Sequence, residues 1–261
     1  MLKSLYTAAT GMNAQQTRMD VIANNLANAS TTGFKRARAE FDDLLSETVR
    51  VAASPDPRGG GAPAPVEIGA GVRLGATTRF FSQGDMLATN NPLDVAIEGQ
   101  GFLQVTRPSG ELAYTRAGNL RVDATGHLVT MGGDALEPAI TVPSNTTGLL
   151  IKPDGRISAQ VPGRSEPVEL GQLELVMFTN PGGLQAQGGN LLRATEASGE
   201  ALRARPGEDG AGSIAQGYLE GANVKAVEEM IDLIVTQRAF EMNSKVIQTG
   251  DQMLQKLTNL R

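Results

Sequence analysis

The chain has 261 residues, of which 40% are apolar, enough to bury the core of one large domain or two modest ones. Its formal net charge of −5 argues against a protein dedicated to binding nucleic acid. The absence of cysteine excludes disulfides, thiolate nucleophiles and cysteine metal ligands. No apolar run is long enough to span a bilayer, so membrane insertion is not expected.

The first segment predicts an amphipathic helix over residues 2–27, about 40 Å long at ~1.5 Å per residue. Its apolar and small residues recur at alternating intervals of three and four, the spacing of a helix seam. The stripe consists of Leu2, Leu5, Ala9, Met12, Gln16, Met19, Ala23 and Leu26. Polar residues interrupt this segment too often for the apolar region of a secretory signal, so we expect no cleaved signal peptide.

Three asparagines mark the end of this helix, although asparagine is a mediocre helix former. We expect Asn24 and Asn25 to fix the register of packed helices through their amide groups. The stretch from Asn28 to Gly33 is typical of a helix end, with Gly33 free to adopt a positive φ.

The next segment combines charges of both signs with a region rich in proline and glycine. In "FKRAR" (residues 34–38) three basic residues precede the acidic "EFDDLLSE", which indicates a solvated or partner-facing segment. Residues 46–75 predict an extended arm with little capacity to pack a core. Its candidate stiffening residues are Pro55, Pro57, Pro63 and Pro65.

Residues 76–217 predict a mainly antiparallel β domain. Short β-type runs such as "LDVAIEG", "GFLQVT" and "LLIKPDGRIS" alternate with turn signals such as Pro153-Asp154-Gly155. No helical pattern separates these runs, which favours an antiparallel sandwich or barrel over a parallel sheet.

A second long helix is predicted over residues 224–260, with Asn223 as its N-cap. Apolar residues recur in it every seven positions, at Leu233, Phe240, Ile247 and Leu254. A second apolar stripe lies beside them, formed by Val235, Ala239, Met242, Val246, Met253 and Leu257.

The predicted fold class is therefore α+β. Residues 1–45 and 218–261 are expected to form a coiled-coil-like helical domain, joined by the arm at 46–75 to the β domain at 76–217. The terminal helices could pack on the β domain of a monomer, pair within one chain, or pack between subunits. Sustained heptad spacing at both ends favours packing between subunits.

Signals for catalysis, metals or cofactors are weak. His127 is the single histidine and has a turn context, so neither a nucleophilic triad nor typical zinc ligation is available. "GAGVRLG" lacks the strand–turn–helix context of a dinucleotide loop. Paired-carboxylate hydrolysis stays open, because such pairs meet only in three dimensions. We expect no enzyme activity, cofactor or metal.

Both ends of the chain resemble the signatures of one family. "LYTAATGMNAQQTRMDVIANNLANASTTGFKR" (5–36) and "QGYLEGANVKAVEEMIDLIVTQRAFEMNSKVIQTGDQMLQKLTNL" (216–260) resemble the terminal signatures of bacterial flagellar axial proteins, the rod and hook family. "TNNPLDVAIEGQGFLQV" and "YTRAGNLRVDATGHLVT" are similar to the β domain of that family. Chain length, a single β domain and "FDDLLSETVR" before the arm resemble the subunits of the distal rod most.

The resemblance implies a non-enzymatic subunit that stacks helically into a hollow drive shaft and transmits torque. It implies that the terminal helices line the core of this shaft and that the arm stiffens it. Implied partners are further copies of the chain, proximal rod and hook-side axial proteins, the flagellar type III export apparatus and the rings around the rod. The implied location is the basal-body rod spanning the periplasm.

Three alternatives remain open from the sequence. The chain could be a proximal rod or hook-type subunit of the same family. It could be a cell-envelope enzyme acting on glycans through a carboxylate pair. It could also be a coiled-coil adhesin with a β head, which would form a closed oligomer of two or three chains.

Overall fold

The computed structural model describes residues 2–50, 65–164 and 166–258. The fold is α+β, with an N-terminal helix, central β-sheets and a C-terminal helix, which confirms the predicted class. The chain divides into two compact units. Unit 1 consists of Met1–Leu26, Ala37–Thr78 and Lys225–Arg261, and unit 2 of Ala27–Arg36 and Arg79–Val224. The domain bounds inferred from the sequence place the divisions elsewhere and stay predictions.

The first elements in chain order are one helix and four strands, and a second helix follows the β domain. They are α1 (Leu2–Ala27), β1 (Ala37–Asp43), β2 (Glu47–Arg50), β3 (Val66–Ile68), β4 (Val72–Arg79) and α2 (Ala226–Thr258). Helix α1 has the predicted bounds, and α2 begins two residues after its predicted start. Glu228 and Glu229 lie in the first turn of α2 and Lys256 in its last turn, where their charges complement the helix dipole.

The arm includes regular β structure in its described part. Strand β2 pairs antiparallel with β3, so that Thr48 lies opposite Glu67, and β1 pairs with β4. Pro65, the residue before β3, is exposed. Pro55, Pro57 and Pro63 lie outside the described residues, so the stiffening role of the four prolines stays a prediction.

Unit 2 contains the remaining strands and two short 3-10 helices, Pro181–Gly183 and Glu196–Ser198. The strands are β5 (Met86–Ala88), β6 (Val95–Glu98), β7 (Phe102–Thr106), β8 (Leu112–Thr115), β9 (Leu120–Val122), β10 (Leu128–Thr130), β11 (Ala135–Glu137), β12 (Gly148–Ile151), β13 (Arg156–Gln160), β14 (Val168–Gln172), β15 (Leu175–Met177), β16 (Gln185–Gly188), β17 (Leu191–Arg193), β18 (Leu202–Ala204), β19 (Ser213–Gln216) and β20 (Tyr218–Glu220).

A nine-stranded sheet organises unit 2. Its main path runs β16-β17-β8-β7-β11-β10-β9, and β15 joins β7 to β18. A three-stranded sheet, β12-β13-β14, and the pairs β19-β6 and β20-β5 complete the unit. The recorded pairings within these sheets are antiparallel, as the turn-rich sequence predicts. The predicted turn at Pro153-Asp154-Gly155 is present, since Gly155 N–H donates to the carbonyl of Lys152 at 2.9 Å.

The core of unit 2 has an aliphatic and an aromatic part. Leu103, Val105, Ile157 and Leu175 are among the most deeply buried members of the aliphatic part. In the aromatic part the ring of Phe178 meets those of Phe102 and Tyr114 edge-on, at centroid distances of 5.8 and 4.8 Å. Such edge-to-face contacts add about 0.5–1.5 kcal/mol per pair to the burial of the rings.

Candidate functional site

The two terminal helices contact each other inside unit 1 where glycines allow a close approach. A β-carbon added at Gly250 would lie 2.6 Å from Leu5 Cδ2, and one added at Gly11 would lie 3.0 Å from Asn243 Nδ2. Residue numbers rise along α1 as those of their contacts fall along α2, so the two helices run antiparallel. The close approach of the two helices therefore depends on glycine at these two positions.

The residues that the sequence predicted to pack in the axial core lie beside this contact. Leu5, Met12, Met19, Leu26, Leu233, Phe240, Ile247 and Leu254 are all half-buried. Leu2 belongs to α1, but its side chain lies outside the described residues. The heptad spacing thus identified positions that are partly covered within one chain. Their packing against other subunits stays a prediction.

Helix α2 also exposes a broad apolar surface, here called the outer face. Its members are Val227, Met230, Ile231, Ile234, Val235, Met242, Val246 and Met253. Each of these residues is between 47% and 66% exposed. Exposed apolar patches of this extent are typical of surfaces that bind a protein partner.

The asparagines at the end of α1 have different environments. Asn25 is 2% exposed, and its side chain pairs with the backbone of Ala37 in both directions. Its Nδ2 donates to the Ala37 carbonyl at 2.8 Å, and its Oδ1 accepts from the Ala37 N–H at 2.9 Å. Nδ2 also donates to Glu229 Oε2 on α2 at 3.1 Å. Asn25 therefore ties three segments of unit 1 together, whereas Asn24 is exposed.

A buried group of charges lies in unit 2, here called the Glu220 cluster: Lys35, Arg116 and Glu220. The side chain of Glu220 is 0% exposed, and those of Lys35 and Arg116 are each 3% exposed. Glu220 Oε1 accepts from Lys35 Nζ at 2.6 Å and from the Gly84 N–H at 2.9 Å. Glu220 Oε2 accepts from Arg116 Nε at 2.8 Å. Both carboxylate oxygens are therefore bonded to donors.

Burial lowers the pKa of the Lys35 ammonium, and the hydrogen bond to Glu220 opposes this shift. Lys35 and Phe34 are both buried in unit 2, so the interpretation of "FKRAR" as a solvated or partner-facing segment is wrong for these two residues. The sequence does not indicate that Lys35, Arg116 and Glu220 form a buried cluster. Lys, Arg and Glu are ordinarily exposed, and these three residues are far apart in the sequence.

Asn223 has a different role from the predicted helix cap. Its Oδ1 accepts from the Arg36 N–H at 2.7 Å, and its Nδ2 donates to the carbonyls of Phe80 at 2.8 Å and Ser82 at 3.2 Å. With its side chain used in this way inside unit 2, the N-cap prediction is wrong. Gly33 does adopt a positive φ, +70°, as predicted.

The described residues offer little that is typical of catalysis. No group of three or more His, Asp or Glu among them could hold a metal ion. His127 Nδ1 lies 3.1 Å from the Thr141 hydroxyl. A cleft of about 590 Å³ in unit 2 has Asp123 as the one carboxylate among its described lining residues, whereas glycoside hydrolysis needs a pair. Neither described helix is apolar enough along its length to cross a membrane.

Comparisons with protein families match three segments of the chain. Residues 5–35 match the model for the flagella basal body rod protein, and residues 96–159 match the D1 domain of the flagellar hook proteins FlgE/F/G. Residues 215–260 match the C-terminal model of the flagellar basal body rod proteins FlgEFG. The first and last matches cover most of α1 and α2, and the middle match lies in unit 2.

Full-length relatives extend this similarity to the whole chain. The flagellar basal-body rod protein FlgG of Caulobacter vibrioides is 48% identical over 261 residues, covering 100% of both chains. FlgG of Buchnera aphidicola subsp. Acyrthosiphon pisum is 47% identical over 260 residues, again covering 100% of both. The flagellar hook protein FlgE of Helicobacter mustelae is 45% identical over 134 residues, covering 51% of this chain and 30% of that protein. The chain belongs to the FlgG family of flagellar basal-body rod proteins.

Proposed function

We propose that this protein is a structural subunit of the distal rod of the bacterial flagellar basal body. The similarity to FlgG proteins over the full length of both chains carries this proposal. In this function the chain has no catalytic role. It polymerises helically with further copies into the hollow shaft that transmits torque from the motor to the hook.

The outer face of α2 supports assembly through the terminal helices. Its eight apolar residues lie on one helix and have at least 47% of their surface exposed in the single chain. Burying apolar surface is favourable by about 25 cal/mol per Å², so contacts between subunits along this face would stabilise a polymer. We propose that the outer face and the half-buried heptad residues together form the coiled-coil-like axial core.

The arm is proposed to stiffen the rod. Strands β2 and β3 form a two-stranded antiparallel pair in its described part, and all their residues are exposed. Such a surface could pair with neighbouring subunits, since extended strands are readily extended further by strand addition. The proposed neighbours of the assembled rod are the proximal rod proteins, the hook-side axial proteins and the rings that surround it.

We further propose that the subunit leaves the cytoplasm through the flagellar type III apparatus. The similarity to flagellar basal-body rod proteins over the whole chain supports this route. The rod would then span the periplasm.

One substitution on the outer face tests the assembly mechanism. Met242 is 61% exposed, so Met242→Asp should leave the folded chain intact but place a charge in the proposed interface. We expect this variant not to restore swimming in a strain that lacks its rod subunit, and not to form sedimenting polymers in vitro. Gln248→Asp is the control, since it adds the same charge at an exposed polar position of α2.

Two results would contradict the proposal. Normal swimming and polymer formation by Met242→Asp would remove the outer face from the assembly. Curved, bendable polymers in electron micrographs would favour a hook-type subunit, because a distal rod should be straight and stiff. Circular dichroism of both variants checks that the β-sheets remain folded.

A further inference from the structure

A small cavity in unit 2 lies against the Glu220 cluster. Its volume is about 20 Å³, which is enough for one water-sized occupant. Three cationic side chains line it, those of Lys35, Arg79 and Arg116, together with Asn190 and Gly33. No carboxylate is among its described lining residues.

The charges around this cavity do not balance. Glu220 pairs with Lys35 and with Arg116, so one negative charge meets two positive ones. Arg79 adds a third cation and has no ion pair among the residues that the structure describes. Its guanidinium donates to the Lys35 carbonyl at 3.3 Å and lies 5.7 Å from the ring centroid of Phe34. Lys35 and Arg116 are buried, whereas Arg79 is half-buried. Buried charges in proteins are ordinarily paired, because an unpaired one carries a large desolvation penalty, and here two buried cations share one carboxylate.

Hydrogen-bond donors are also left over at the cavity. Arg116 donates from Nε to Glu220 and from Nη2 to the carbonyls of Ile97 and Gly99. Its Nη1 has no hydrogen-bond partner among the described residues. Lys35 Nζ carries three N–H bonds and donates two of them, to Glu220 and to the Ser82 carbonyl. Among the described residues the one buried side-chain donor without a partner is Gln104 Nε2, so the N–H groups of Arg116 and Lys35 that lack a protein acceptor face accessible space. The wall therefore offers positive charge together with N–H groups that an occupant of the cavity can reach.

We propose that this cavity binds one small monovalent anion of the halide class, with chloride as the physiological occupant. A water molecule could accept these hydrogen bonds, but it would leave the excess positive charge uncompensated. Sulfate and phosphate are too large for a cavity that holds one water-sized occupant. Gly33 limits the space further, because it lies in the wall next to the backbone of residues 116 and 117.

The consequence of this site is that chloride links the segment at 33–35 to Arg116, which directly follows strand β8. Arg79, the first residue of the second segment of unit 2, contributes a further positive charge to the cavity wall. A bound anion should therefore stabilise unit 2 specifically and saturably. Non-specific salt effects, by contrast, act on all variants alike and do not saturate.

Thermal unfolding of the full-length protein tests the site, with chloride replaced by the bulky monovalent anion gluconate at constant ionic strength. At a chloride concentration tenfold above the dissociation constant, the midpoint should rise by about 3–6 °C over that in gluconate. Arg79→Gln should lose this rise, because it removes the cation that lacks a carboxylate partner. Arg205→Gln is the matched control and should keep it, since Arg205 is exposed elsewhere in unit 2.

Crystals of the full-length protein soaked in bromide give a second readout that does not depend on any variant. The expected result is an anomalous peak in the cavity, within hydrogen-bond distance of Arg116. A cavity without such a peak would overturn the proposal, as would a chloride response of equal size in the parent and in Arg79→Gln.

Discussion

The Glu220 cluster makes a sharp prediction about the stability of unit 2. Glu220→Gln conserves the shape of the side chain but removes its charge. In the wild-type chain one carboxylate oxygen accepts from Lys35 Nζ and the other from Arg116 Nε. The amide replaces one of these oxygens with an NH₂ group, which cannot accept a hydrogen bond. Two cations with side chains only 3% exposed then lose their carboxylate. Breaking a buried ion pair by removing one partner costs about 3–5 kcal/mol.

Equilibrium unfolding in urea measures this loss. Of the three tyrosines, Tyr114 and Tyr218 lie in unit 2 and Tyr6 in unit 1, so tyrosine fluorescence reports mainly on unit 2. For a unit of about 150 residues, the expected loss corresponds to a fall of roughly 6–20 °C in the thermal midpoint. Glu174→Gln is the control, because Glu174 pairs with Arg203 at 3.8 Å on the surface of the same unit. Exposed ion pairs contribute about 0–1 kcal/mol to the free energy of unfolding, so Glu174→Gln should change it little.

A double variant tests the physical cause. If the loss arises because a buried cation has no carboxylate partner, the effects of Lys35→Met and Glu220→Gln should not add. The double variant should then lose less unfolding free energy than the sum of the losses in the two single variants. The reasoning would be refuted by Glu220→Gln and Glu174→Gln having unfolding free energies within about 0.5 kcal/mol of each other. Strict additivity of the two single changes would refute it as well.

Three further predictions follow from local geometry. Gly33→Ala should destabilise unit 2 by more than Gly110→Ala, for which we expect a loss of roughly 1–2 kcal/mol. Both glycines have a positive φ, but only at Gly33 would an added β-carbon meet backbone, 2.7 Å away. Urea unfolding of the two variants measures the difference. Hydrogen bonds from Thr125 and the backbone lower the pKa of Asp123 below 3.8, so its stabilising effect is complete above that pH and lost as pH falls through the lowered pKa. Thr125→Val should raise this pKa in a carboxyl NMR titration. Asn25→Ala should speed amide exchange at residue 37, whose N–H would lose its acceptor.

The sequence predicted the regular elements well where periodicity or turn chemistry is strong. Helix α1 has the predicted bounds, because its seam spacing and its asparagine- and glycine-rich end are unambiguous. Strand β1 was missed. Its residues include several charges, and Ala39 is the one fully buried position in it, so the alternation of a half-buried strand is hidden.

The polar contacts could not be predicted, because their partners are distant in sequence. Asn25 was recognised as unusual, but its partner Glu229 lies 204 residues away. Asn223 lies three residues before α2, yet its side-chain contacts with Arg36 and Phe80 in unit 2 determine its role. Heptad spacing reveals which face of a helix is apolar, but not which buried charges meet in a β domain.

The sequence separation between Lys35 and Glu220 determines when this buried ion pair can form during synthesis. The two residues are 185 positions apart, so the carboxylate that neutralises this buried ammonium is translated long after the lysine. At about 5–20 residues per second, the delay is roughly 10–40 s. During that interval the ammonium of Lys35 lacks its carboxylate, so this buried ion pair cannot form before residue 220 has been translated. Docking of the segment at 33–35 is therefore a late step in the folding of this unit.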